Sequence, residues 1–169
     1  MYTLDGDDQV TELTGVPSAS PGTPDPVILA DDYSLSLTYV LAPVEVTPEE
    51  EAAEGEPFAL VQFQLCRAHY FGSPNDEALH GHPLYGRGLR PYGVYEVQNS
   101  SWIRLLERRN RVHDRHTPKL FEGLRHLIMT FHDKTFECIA KSWQVTRYAG
   151  SAGEWTGLMT RLIRKEGRP

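Results

Sequence analysis

Seven histidines stand in this chain of 169 residues, and four of them come in pairs with ligand-like spacing. His80 and His82 form an HxH step, and His113 and His116 form an HxxH step. An HxH on extended backbone turns both rings to one side, as zinc sites often require. Those four residues are the candidate ligands of a metal-dependent hydrolase. No HExxH pattern and no cysteine pair accompanies them. The segment "FHDKTFEC", Phe131 to Cys138, adds a His-Asp pair and a thiol within eight residues. His126 and His132 are six residues apart, about 20 Å along a strand, so they cannot share one ion. Nucleophile signatures are absent: there is no GxSxG elbow, and the glycines of "YGRGLRPYG" match no phosphate-cradling loop.

The second chemistry in the sequence is aromatic and cationic. "GSPNDEALHGHPLYGRGLRPYG", residues 72–93, is longer than most connections, and such loops inside compact domains are usually functional or disordered. Its Leu, Tyr and His content argues for order. Leu84, Tyr85, Arg87, Arg90 and Tyr92 form the candidate binding surface, because Tyr and Arg dominate energetic hot spots. Arg104, Arg108 and Arg111 extend it along the segment that follows. Arginines beside aromatics also suit phosphates and unstacked bases, so nucleic acid is a second candidate partner.

These residues need elements to hold them. "YSLSLTYVLA", 33–42, alternates apolar and polar residues and predicts a half-buried strand. "FALVQFQLCRAHYF", 58–71, predicts a second strand, and "VYEVQN" a short third. "SSWIRLLERRNRVH" predicts a helix capped by Ser100 or Ser101, with Trp102, Leu105 and Leu106 on its buried stripe. Pro118 bars its continuation. A hairpin follows. Pairing Phe131 with Phe136 places Met129 opposite Cys138 and Leu127 opposite Ala140 on one apolar face, around an "HDKT" loop. Cys138 is then a small buried hydrophobe, and Cys66 gets the same reading. His132 stays exposed at the start of the loop. "SAGEWTGLMTRLIRKEG" predicts the last helix, with Trp155, Leu158, Met159, Leu162 and Ile163 in register, Ser151 as cap and Gly167 as stop.

The predicted order is β-β-loop-β-α-β-β-α. It implies an α+β fold: an antiparallel sheet of about five strands with two amphipathic helices packed on one face. Residues 1–26, rich in Pro, Gly, Ser and Asp, predict a mobile acidic arm, and 27–169 a single α+β domain.

Composition narrows the setting. The net charge is -6, yet no Lys or Arg precedes Arg67, and 13 of the 23 acidic residues lie before it. No apolar run reaches the ~20 residues that a membrane span needs. "MYTLDGDDQV" lacks the basic region of a signal peptide. Two unpaired-looking cysteines fit a reducing cytoplasm. The expectation is a cytoplasmic, non-enzymatic protein without a cofactor. It engages a macromolecular partner, a protein first, through loop 72–93 and the arginine-bearing helix. The hydrolase and nucleic-acid readings are the alternatives.

"GHPLYGRGLRPYGVYEV", "NSSWIRLLERRN" and "FHDKTFECIAKSW" resemble stretches of a family of uncharacterised bacterial cytosolic proteins. "GVPSASPGTPDPVILA" is similar too, so the likeness spans most of residues 14–145. That resemblance implies a bacterial cytosolic protein and carries over no functional residue.

Overall fold

The computed structural model describes residues 2–32 and 34–166, the side chains from 163 onward excepted. The expectations for Tyr33, the Ile163 side chain and Gly167 lie outside the described residues.

The fold is α+β, and the described residues form nine strands in two antiparallel sheets and three helices. The first sheet has the order β1 (Gln9–Glu12), β6 (Val94–Gln98), β7 (Arg125–Thr130), β8 (Thr135–Ala140), β5 (Ala68–Gly72). The second has the order β2 (Val27–Ala30), β3 (Leu35–Val40), β4 (Glu56–Gln64), β9 (Ser142–Gly150). Both sheets contribute one face to a shared core. Leu35, Leu37, Tyr39, Ala59, Val61 and Phe63 come from one side, and Leu127, Met129, Phe136, Cys138 and Ala140 from the other. Each set recurs at every second residue, which is the pleat putting alternate side chains on one face.

Helices cover the two outer faces rather than a single one. α2 (Ser101–Asn110) lies against β7 of the first sheet, and α3 (Ala152–Glu166) lies against β2 and β3 of the second. Trp155 packs on Phe58 at 4.7 Å between ring centres, and Met159 is buried beside Thr38. Ser100 caps α2, its hydroxyl accepting from the Ile103 amide. At α3, Glu154 reaches back to accept from the Ser151 amide and hydroxyl. The short α1 (Pro48–Glu51) opens on a capping box between Thr47 and Glu50.

The predicted strand over 58–71 is two strands in different sheets. The chain breaks at Leu65, whose φ of 52° is a left-handed turn value. β9 was not expected, although Trp143, Val145, Arg147 and Ala149 alternate with exposed Gln144, Thr146 and Tyr148.

The hairpin keeps its predicted faces and changes its register by two residues. Met129 pairs with Phe136 and Leu127 with Cys138. Phe131 leaves the ladder, and its amide closes the turn onto the Lys134 carbonyl at 2.8 Å. A shift of two preserves which side each residue faces. It drops Phe131 into the core beside Tyr39, 5.7 Å between ring centres.

Residues 2–26 do not behave as an arm. β1 pairs with β6 from Gln9↔Gln98 to Glu12↔Tyr95, and Tyr2, Asp8 and Val16 are buried. Tyr2 stacks on Trp102 at 5.3 Å. Composition misled because a few anchored side chains suffice to dock a polar segment.

Candidate functional site

Loop 72–93 is built from the inside outward. Leu79, Leu84 and Leu89 are 1%, 0% and 0% exposed and pack on Val97 and Ile128 across the outer face of the first sheet. Two single 3-10 turns, Leu79–Gly81 and Tyr85–Arg87, connect these anchors. Leu84 was expected on the binding surface; it is core, because a loop of this length needs apolar anchors to hold one shape. The anchors turn Tyr85, 36% exposed, and Arg87 to solvent. The Arg90 guanidinium lies 5.1 Å from the Tyr85 ring centre and donates to the Tyr85 and Leu89 carbonyls at 3.0 and 2.7 Å.

At the end of the loop, Tyr92 meets the hairpin turn. Its backbone has a φ of 59°, an unusual value for a bulky residue. Its hydroxyl donates to Asp76 Oδ2 in a very short bond. The His132 ring nitrogen Nδ1 donates to the same oxygen at 3.0 Å. The Asp76 amide donates to the His132 carbonyl at 3.0 Å. Bonding from Tyr92, then His132, holds the Asp76 carboxyl below its ordinary range against the opposing effect of burial. His132 is therefore oriented by a carboxylate with Nε2 turned away from it. That geometry suits a proton acceptor. The Tyr92 hydroxyl also lies 3.2 Å from Nδ1, and among the described residues no serine, threonine or cysteine is hydrogen-bonded to the ring.

Arg104 and Arg108 of α2, and Arg111 just past its end, are occupied. Arg104 donates to Asp5 Oδ1 at 2.7 Å and Asp8 Oδ2 at 3.3 Å, and Arg108 reaches Asp5 Oδ2 at 2.5 Å. Arg111 forms an i,i+4 pair with Glu107 at 2.8 Å. Asp8, buried, also accepts the Ser101 amide at 2.6 Å, which ties the N-terminal segment to the start of α2. These three arginines thus serve intramolecular contacts and do not join the loop surface.

The candidate metal ligands separate. His82 is buried and its Nδ1 accepts from the Leu84 amide at 3.2 Å. That places its proton on Nε2, which donates to Glu137 Oε1 at 3.1 Å and has no lone pair for an ion. His80 is exposed, with Nδ1 at the Glu77 carbonyl. His113 Nδ1 accepts from the Arg115 amide. His116 contacts Asn110 and Glu107. Among the described residues no group of three ligating side chains could hold an ion. The hydrolase reading loses its ligand set.

Glu137 is the residue the sequence did not single out. It sits 1% exposed on β8 and accepts from three sides. Tyr2 donates its hydroxyl at 2.8 Å, His126 its Nε2–H at 2.9 Å, and His82 its Nε2–H at 3.1 Å. Ser100 continues the network: its oxygen accepts from Ile103, which leaves its hydrogen for His126 Nδ1 at 2.9 Å. Burial alone pushes the Glu137 carboxyl up, but the bonds from His126 and His82 outweigh it and hold it at about 2. A cavity of about 220 Å³ between Tyr2, Tyr70, Trp102 and Leu105 reaches this residue. Its carboxylate is committed to protein donors, so the network is a structural clamp joining the N-terminus, the loop, β7 and β8. The only sequence signal was a Glu at a covered strand position beside Ile139.

Cys138 is fully buried and Cys66 half-buried, and both are free thiols. Burial raises both, Cys66 to about 11. No protein-family model, no curated protein and no solved structure matches the chain. Among the described residues no helix is long and apolar enough to cross a membrane.

Proposed function

We propose that this chain is a non-enzymatic binding protein of the bacterial cytoplasm. It engages a protein partner through the outer surface of loop 72–93. Tyr85, Arg87, Arg90 and Tyr92 make the contact, with His132 beside them. The partner segment is acidic.

One observation carries this reading. Arg87 and Arg90 have no carboxylate partner among the described residues, whereas Arg104 and Arg108 of α2 and Arg111 just past it each do. Uncompensated guanidinium groups beside two exposed tyrosines form the rim-and-anchor pattern of a protein-binding patch. The buried leucines beneath keep the patch rigid, which lowers the ordering cost of binding. The same observation weighs against nucleic acid, since three arginines of the 104–115 segment already hold carboxylates. Two free cysteines accord with a reducing compartment.

The test immobilises the chain and the double variant Tyr85→Ala/Arg87→Ala for capture from host lysate, with identification by mass spectrometry. The expected result is one protein enriched by the parent chain and lost with the variant, with Tm changed by about 2 °C or less. The identified partner should bind more weakly as salt rises. Equal recovery by both chains overturns the proposal.

A further inference from the structure

β9 is the outermost strand of the second sheet. It pairs with β4 without interruption from Gln64↔Ser142 to Glu56↔Gly150. An edge strand directs alternate amides and carbonyls away from its own sheet. Among the described residues, the backbone of 142–149 bonds nothing except β4. The other edge strands, β1, β2 and β5, have only four, four and five residues. β1 is also overlain by the loop, where Gly88 approaches the Val10 carbonyl.

Natural edges are usually guarded by proline, lysine, a bulge or an inward charge. Residues 142–150 contain no proline and no lysine, and the ladder to β4 has no bulge. Arg147, the one charged residue, shares the inner face with buried Ala59 and is held by Glu50 at 2.7 Å and by the Glu45 carbonyl. The exposed face carries only Gln144, Thr146 and Tyr148.

We propose that β9 pairs antiparallel with β9 of a second copy, about a two-fold axis through Thr146. The two four-stranded sheets then become one of eight. In that register Thr146 faces Thr146 of the second copy, and Gln144 faces Tyr148. Threonine pairs and uncharged polar–aromatic pairs are favourable across strands, and no like charges meet. Self-pairing is favoured over a charged peptide because the outward side chains Gln144, Thr146 and Tyr148 carry no charge to recognise one, and Arg147 is already held by Glu50. The interface is isologous and closes, so it yields a dimer and not a fibre. One strand junction buries less than the ~1,200 Å² of a standard interface, so association is weak. This inference is independent of the loop surface.

Sedimentation equilibrium of the full chain from about 1 to 300 μM tests it. The expected result is a monomer–dimer equilibrium across that range. Thr146→Lys puts two like charges at the axis and should weaken the dimer at least about tenfold with Tm nearly unchanged. Gln144→Lys combined with Tyr148→Glu places opposite charges across the junction and should tighten it by about threefold or more. A monomer throughout the range, or a dimer indifferent to both changes, overturns the proposal.

Discussion

His82 and Glu137 are 55 residues apart in the chain, and the ring of one donates to the carboxylate of the other at 3.1 Å with both side chains closed from water. His82 belongs to the loop and Glu137 to β8, so this bond locks the loop onto the sheet. Replacing Glu137 by Gln would aim an amide N–H at one of three donors. The loss should be on the order of 3 kcal/mol, as for a buried charge network with one partner removed. Urea unfolding measures it, and a change below about 1 kcal/mol contradicts the clamp.

The same carboxylate sets an acid limit. Its value in the fold is about 2, below the ordinary 4.5. A group depressed by folding stabilises above its unfolded value, and that stabilisation is lost as pH falls through the folded one. Stability should therefore decline between about pH 4.5 and pH 2, with a contribution from Glu137 on the order of 3 kcal/mol. Unfolding at several pH values compares the parent with Glu137→Gln, whose profile should be flatter in that window.

Within the loop, neighbours divide into anchor and surface. Leu84→Ala should cost about 2–5 kcal/mol, since it empties a fully buried site. Tyr85→Ala, one residue on, should cost less than about 1 kcal/mol. Thermal unfolding of the two variants separates them; equal losses would mean that Tyr85 is also structural.

The thiols should be unreactive in the fold. Cys138 is fully buried and raised well above its ordinary value, and Cys66 is raised to about 11. A disulfide-exchange reagent at pH 8 should label Cys66 slowly and Cys138 only after unfolding. Rapid native labelling of Cys138 would refute its core placement.

Asp5 bridges Arg104 and Arg108 at the surface. Asp5→Ala frees the Arg108 guanidinium and leaves Arg104 the Asp8 carboxylate, and it should raise retention on a phosphate-bearing resin at low salt, an effect that vanishes at high salt. Unchanged retention would show that these arginines are not masked by this residue.

The hairpin shows how far the sequence could be read. Alternation decided that Phe131, Phe136 and Cys138 face one way, because a period of two survives any even shift. It could not choose between registers two residues apart. Phe131 chose, by filling a space beside Tyr39 on the opposite sheet. The α+β class, both long helices and the Ser100 cap of α2 were likewise legible, since they rest on local periodicity and hydroxyl spacing; at α3 the Ser151 hydroxyl donates to Glu154 and, among the described residues, caps no amide.

What the amino-acid order alone determined is the set of elements and the face each one buries. Tertiary structure decided which polar residues meet. Asp76, Tyr92 and His132 come together from the loop and the hairpin, and Tyr2, His82, His126 and Glu137 from four separate segments. It also spent Arg104 and Arg108 on Asp5 and Asp8, which composition had assigned to an arm. The reason is range. Backbone preference and hydrophobic period act over a few residues, whereas a buried ion or hydrogen-bond network is satisfied by whatever partners the packed sheets bring within about 3 Å.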